Sequence, residues 1–277
     1  MCTRITSRLK RILNFVRGQR ARTHSLRAWQ RRRLCANVSR QLLTLSFEMI
    51  DETWTGLVAD GGESFPIIKS TTQFEGKVWT IRTDVLDFDG RIIERDLIVH
   101  PGAVAVVAID TQDRVLLIRQ YRHPLGMYIF EPPAGLLDVA GEPPLVTAKR
   151  ELAEESGYQA ETWHTLVDFL NSPGGSSEAI RIYLARDLEL VPGGRPQTGE
   201  AEEAFLPRVW VDLDEAKSLV LSGAVSGPTA VAGILGAWAA RESGWVNLRS
   251  CDEPWLMRSA LLKAKRVPLN FNKKDLA

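Results

Sequence analysis

Cysteine is scarce in this chain of 277 residues. The three present, Cys2, Cys35 and Cys251, form no CxxC pair. That excludes a disulfide framework and argues against a zinc site, and it predicts a reducing, cytoplasmic setting. Long apolar runs are also missing. No stretch of about 18 consecutive apolar residues occurs, so no membrane-spanning helix is expected and no membrane partner. Acidic residues are absent from one end. Twelve of the 35 Lys and Arg lie in residues 1–47, and none of the 34 Asp and Glu does. From Met49 onward 23 basic side chains face 33 acidic ones, so an acidic body carries a basic extension.

The extension, residues 1–48, has three readings. An Arg-rich, acid-free composition fits an organellar transit peptide. It also fits a nucleic-acid-binding arm. The plainest reading is a disordered basic extension, with Met49 as an alternative start, and it is the working one. On it, Arg31-Arg-Arg33 is no sign of a nucleic-acid partner, and none is expected.

What the chain does have is a run of carboxylates around one short segment: Glu142, Glu151, Glu154 and Glu155. Proline at 143 and 144 suits the start of a helix and Gly157 its C-terminal cap, so a helix is expected from about Pro144 to Ser156. At 100° per residue Leu145, Ala148 and Leu152 share one apolar face. Glu151 and Glu155 fall on the flank of that face, and like charges four apart on a helix repel by roughly 0.2–0.5 kcal/mol. Arg150 reaches Glu154 at i+4. Convergent carboxylates beside an apolar stripe suit a hard divalent cation such as Mg²⁺, which prefers oxygen ligands. The competing reading is a solvated, salt-bridged helix face.

Around this segment the chain reads as strands. Val78–Val85 alternates, Asp87-Phe-Asp-Gly90 is a turn, and Arg91–Val99 returns. Ala103–Ile109 is a continuous apolar run and hence a buried strand. Asp110–Arg114 turns the chain into Val115–Arg122, and Met127–Glu131 is a further short strand. Trp163–Leu170 and Ile180–Leu184 are strands joined by the Gly- and Ser-rich loop Asn171–Glu178. After an acidic loop from Pro192 to Glu203, Val209–Leu213 is a strand, and Asp214–Ser222, Pro228–Arg241 and Trp255–Lys265 are helical. Strands, one helix, strands and terminal helices predict an α+β fold.

The segment resembles the Nudix box: Gly, five residues, Glu, seven residues, then Arg-Glu-apolar-x-Glu-Glu-x-Gly-apolar. Gly135, Glu142, Arg150, Glu151, Leu152, Glu154, Glu155, Gly157 and Tyr158 all match. Six residues rather than five separate Gly135 from Glu142, which is read as a lengthened loop before an intact helix. The similarity runs from about Arg95 to Leu235. It is greatest to the ADP-ribose pyrophosphatase branch, especially its actinobacterial members, which share the Gly135–Pro144 wording.

The resemblance implies a Nudix-type α/β/α sandwich with a mixed sheet, preceded by an antiparallel strand region. The division implied is an extension at 1–48, a strand region at 49–100 with the dimer contact, a Nudix domain at 101–245, and a tail with a helix at 246–277. It also implies Mg²⁺-dependent hydrolysis of ADP-ribose to AMP and ribose 5-phosphate, with Mn²⁺ as a substitute cation. Glu151 and Glu155 would ligate the metal with the backbone carbonyl of Ala134, and Glu142 and Glu154 would hold further ions or waters. Arg150 would orient Glu154. Glu203 stands where this branch keeps its general base, with Glu178 as runner-up base or ligand. Arg122 and Arg95 match positions that touch the phosphates and the nucleoside, Arg95 across a homodimer interface. Pro173, fifteen residues beyond the box, matches a marker of ADP-ribose specificity. Pro132 stands where an aliphatic residue is usual. His123 and His164 are read as structural. The alternatives are another nucleoside diphosphate sugar or dinucleotide as substrate, and a non-catalytic ADP-ribose sensor.

Overall fold

The computed structural model describes residues 53–61, 64–196 and 206–268. The chain divides into two units, residues 1–60 and residues 61–277. Of the first, residues 53–60 are described, and Trp54, Leu57 and Val58 there are exposed.

In the second unit a three-stranded antiparallel sheet comes first: β1 (Ile67–Glu75), β2 (Thr80–Phe88) and β3 (Arg91–Val99), in the order β1-β2-β3. A second sheet runs β10-β5-β6, from β5 (Arg114–Arg122), β6 (Met127–Glu131) and β10 (Arg208–Asp212). The third runs β11-β8-β9-β4-β7, from β4 (Ala103–Ala108), β7 (Ala134–Leu136), β8 (Tyr158–Leu170), β9 (Ala179–Leu190) and β11 (Arg249–Ser250). It is mixed: β4 pairs with β9 in parallel, and its other pairings are antiparallel. Four helices complete the described fold, α1 (Pro144–Ser156), α2 (Leu213–Leu221), α3 (Pro228–Glu242) and α4 (Leu256–Lys263). None is long and apolar enough to cross a membrane.

The layering follows from the period of two along a strand. In β4, Ala105 and Val107 face one core with Leu117, Ile182 and Leu184, under α2 and α3 through Leu213, Ala216, Ala230 and Ile234. Val104, Val106 and Ala108 face the other core with Leu116 and Tyr183, under α1 through Ala148 and Leu152, and with Trp163 and Trp255. Helices on both faces of the strands make the expected α/β/α sandwich. Leu152 is fully enclosed, and burying one such side chain contributes roughly 1.5–3 kcal/mol. This anchors α1 and hence its glutamates.

The box helix has the expected ends, with Pro143 as N-cap, Pro144 at the first position and Gly157 in the left-handed region at φ 72° as C-cap. Other elements differ from the reading of the sequence. β1, β7 and β11 were not expected. β8 and β9 both extend past their predicted ends, because a wide antiparallel pairing from Tyr158↔Leu190 to Leu170↔Ala179 carries them through polar stretches. β1 escapes notice because eight of its nine residues are exposed, so it has no buried alternate face to leave a pattern.

Candidate active site

The site is built where β7 meets α1. β7 is held by β4 through Ala134↔Ala105 and Gly135↔Val104. Opposite it, Glu151 and Glu155 on α1 are 5% and 4% exposed. Both reach the β7 backbone. The Ala134 N–H donates to Glu155 Oε2 at 2.8 Å. A side chain at Gly135 would place its Cβ 2.0 Å from Glu151 Oε1. The box glycine is therefore a matter of space: only a residue without Cβ lets the carboxylate lie against the strand.

Arg150 gathers the rest of the cluster. Its Nη1 donates to Glu151 Oε1 at 2.8 Å and to Glu154 Oε2 at 2.9 Å, and its Nη2 reaches Glu142 Oε2 at 3.4 Å. Burial alone would lower the guanidinium pKa. Glu151, with Glu142 and Glu154, overrides this and holds it above the ordinary value. Arg150 is thus a permanent cation pinned among three carboxylates. Glu142 Oε2 also accepts the Thr147 hydroxyl at 2.7 Å, which ties the loop to the first turn of α1.

The extra residue between Gly135 and Glu142 is absorbed before the helix begins. Leu137 N–H donates to Gly102 O at 3.0 Å, and Glu142 N–H to Val139 O at 3.1 Å. Gly141 sits in that turn at φ 80°, a conformation glycine adopts without strain. Helix and glutamate spacing are untouched.

Among the described residues no three His, Cys, Asp or Glu side chains converge into a closed metal cluster. The arrangement is an open one, with two buried carboxylates on adjacent turns and two more at the rim on Arg150. Mg²⁺ is commonly held by one or two carboxylates together with waters and substrate phosphates, so this oxygen-only set fits such an ion. The expected ligand at Ala134 is its carbonyl, and the contact seen there is made by its N–H.

The remaining expected residues lie elsewhere. Arg122, at the end of β5, donates from Nε to Glu131 Oε2 at 2.7 Å. Glu131 is buried and precedes the Pro132-Pro133 step into β7. Arg95 on β3 is exposed and donates to the neighbouring carbonyl of Glu94 at 2.8 Å. Pro173 is exposed in the turn of the 171–178 loop. Glu178 accepts from Asn171 Nδ2 at 2.7 Å and faces His100 Nε2 at 3.6 Å. Glu203 lies outside the described residues. His123 is exposed in a 3-10 turn (His123–Leu125), and His164 is half-buried on β8.

Sequence reading passed over His100, Glu131 and Thr147. Thr147 was findable, five residues after Glu142 on the same helix start. The partners of His100 and Glu131 are distant or across a hairpin, and no local spacing marks them.

The family model for the NUDIX domain matches residues 99–227. The chain is 42% identical over 204 residues to the ADP-ribose pyrophosphatase of Mycobacterium tuberculosis (strain ATCC 25618 / H37Rv), a match covering 73% of this chain and 97% of that protein. It is 39% identical over 150 residues to the methanol dehydrogenase activator of Bacillus methanolicus, covering 54% and 79%. Among solved structures, a crystal structure of an ADP compounds hydrolase matches with a TM-score of 0.57 at 23% identity, covering 68% of this chain and 100% of that one. That likeness speaks to the fold.

Proposed function

The chain belongs to the Nudix family of hydrolases, and from that premise we propose that it hydrolyses the diphosphate of ADP-ribose to AMP and ribose 5-phosphate. The observation that carries the reading is the buried pair Glu151 and Glu155, held against β7 by a strand that has room for neither a Cβ nor a bulkier residue at Gly135. ADP-ribose is the substrate of choice because the relative covered nearly end to end is an ADP-ribose pyrophosphatase, and because Pro173 stands at the expected offset from the box.

Glu151 and Glu155, with Glu142 and Glu154 at the rim, are the residues that would hold Mg²⁺, or Mn²⁺ in its place. A bound divalent cation would neutralise diphosphate charge and acidify a water. The protein's own groups do the rest. Arg150 keeps the glutamates apart and oriented. Glu203 accepts the proton of the attacking water as general base. The new bond forms between water oxygen and one phosphorus, the bridging P–O bond breaks, and the departing phosphate carries off the electron pair. Arg122, steadied by Glu131, would contact the phosphates and Arg95 the nucleoside, with Glu178 as a further substrate-side group or runner-up base. The protein works as a cytoplasmic homodimer, contacting its second copy through the β1–β3 sheet, with no nucleic-acid or membrane partner.

A panel of nucleoside diphosphate derivatives, assayed with Mg²⁺ and with products identified, tests the substrate. Preferred cleavage of ADP-ribose is expected; preference for another nucleoside diphosphate sugar or dinucleotide would reassign the substrate within the family, and no cleavage at all would favour the sensor reading. In the same assay Glu151→Gln and Glu155→Gln should abolish turnover while circular dichroism and thermal melting show the fold retained. Near-normal turnover in either variant would sink the metal assignment.

A further inference from the structure

His100 belongs to no part of the box, yet it is 4% exposed and lies at the joint between β3 and β4. Both ring nitrogens are engaged. Nδ1 accepts the Gly102 N–H at 3.0 Å, which requires a lone pair there and so places the proton of the neutral ring on Nε2. That N–H faces Glu178 Oε1 at 3.6 Å, an electrostatic contact longer than a hydrogen bond. Burial lowers the imidazole pKa against the opposing pull of the Glu178 carboxylate, and the net direction is down, in keeping with a neutral ring.

The backbone around the ring connects two loops. On one side His100 N–H donates to Ser177 Oγ at 3.0 Å. Ser177 N–H donates to Ile98 O at 3.0 Å, and Ile98 N–H to Gly175 O at 2.8 Å. The 171–178 loop is thereby stitched to the end of β3. On the other side the same Gly102 whose N–H caps Nδ1 accepts Leu137 N–H at its carbonyl. Leu137 opens the loop that leads to Glu142. His100 therefore stands between the loop carrying Pro173 and Glu178, which its backbone N–H reaches at Ser177 and its ring faces at Glu178, and the loop that leads to Glu142, which it reaches through Gly102.

We propose that His100 is a positioning residue for substrate binding: in its Nε2–H form it holds Glu178, and with it the 171–178 loop, in register with the box loop across the Gly102 peptide. It touches no phosphate itself. The proposal rests on the reading of Glu178 as a substrate-side group. It predicts that His100 acts on substrate affinity and leaves the chemistry on α1 alone.

Two measurements on the full chain test it. A long-range ¹H–¹⁵N correlation of the substrate-free protein at neutral pH should show His100 protonated at Nε2 and bare at Nδ1; a proton on Nδ1 overturns the proposal whatever the substrate. In steady-state kinetics His100→Asn keeps an acceptor for Gly102 but falls short of Glu178. Its KM should rise about fivefold, the upper end for a partly exposed charge contact, with kcat within about twofold. His100→Gln, whose amide reaches Glu178, should recover most of that KM. In the double variant His100→Asn with Glu178→Gln, KM should be no higher than with Glu178→Gln alone. An unchanged KM in His100→Asn, a fall confined to kcat, or additive effects in the double variant would each reject the role. If ADP-ribose is not cleaved, the proposed function fails, while the tautomer, and the same cycle on whichever nucleoside diphosphate is cleaved, still decide the role of His100.

Discussion

At the scale of single residues, Gly135 couples strand to helix through the space it leaves empty. An added Cβ there would sit 2.0 Å from Glu151 Oε1 and 2.1 Å from Cδ, so Gly135→Ala must drive the carboxylate off the strand. Overpacking of this kind costs about 1–3 kcal/mol. Misplacing a reacting group by about 1 Å can cost on the order of 10²-fold in rate. The expected result is a folded protein, by thermal melt, whose kcat has fallen about a hundredfold. A variant with wild-type kcat would show that Glu151 does not need its place against β7. The residue types of this site were readable because the box is local: nine positions within 24 residues, set by helix period and caps. His100–Glu178 and Arg122–Glu131 were not, because those partners meet through strand pairing rather than spacing.

At the scale of elements, an ionic knot centred on Asp168 helps to hold the C-terminal segment in place. Arg181 on β9, 2% exposed, donates to both oxygens of Asp168 on β8 at 2.7 and 2.9 Å and to the Glu253 carbonyl at 2.6 Å. Arg249 of β11 adds a third bond to Asp168 at 2.8 Å. The Trp255 ring lies 4.9 Å from the Arg181 guanidinium. Removing one member of a buried pair leaves the other charge uncompensated. With Asp168 partly open to water, Asp168→Asn should cost about 2 kcal/mol, measured by urea denaturation. Burial would raise the Asp168 pKa, but Arg181 and Arg249 hold it below the ordinary carboxylate value of 3.8. A carboxylate with a depressed folded pKa adds stability above 3.8 and loses it as pH falls through the lowered value. The variant should therefore lose less stability than the wild type over that acid range, and an equal loss in both would place the knot's charge outside the stability balance. No sequence pattern announces this knot, since its members lie 13 and 81 residues apart.

At the scale of the whole molecule, the β1–β3 sheet is unusual in how much apolar surface it shows. Ile68, Phe74 and Ile92 are each more than half exposed, and Phe88 is 42% exposed. Phe74 and Ile92 fall on one face of the sheet, through the pairs Phe74↔Ile81 and Asp87↔Ile92, and exposed apolar side chains on a shared face suit the homodimer contact proposed above. Sedimentation at micromolar concentration should give twice the chain mass, and Ile92→Asp should shift the population toward monomer. A wild-type chain that stays monomeric throughout would remove the dimer from the proposal. The sheet is tied to the C-terminal segment through Asp84, which is 1% exposed and accepts from Ser70, Arg82 and Arg266.

Through its resemblance to the Nudix box, the sequence by itself determined the reaction type and, by local pattern, the helix that carries the box. Helix period, a proline start, a glycine cap and four glutamates act over a few turns, and nothing distant is needed to read them. It also determined the layered fold, because β4 buries both faces and must be covered twice. Only the tertiary structure decided what stands beside that helix: that Gly135 makes room for Glu151, that Arg150 pins three carboxylates at once, and that His100 bridges two loops that each lie more than 30 residues from it. These arise where strands distant in the chain are brought into register, and hydrogen bonds across that register carry no signature in local spacing.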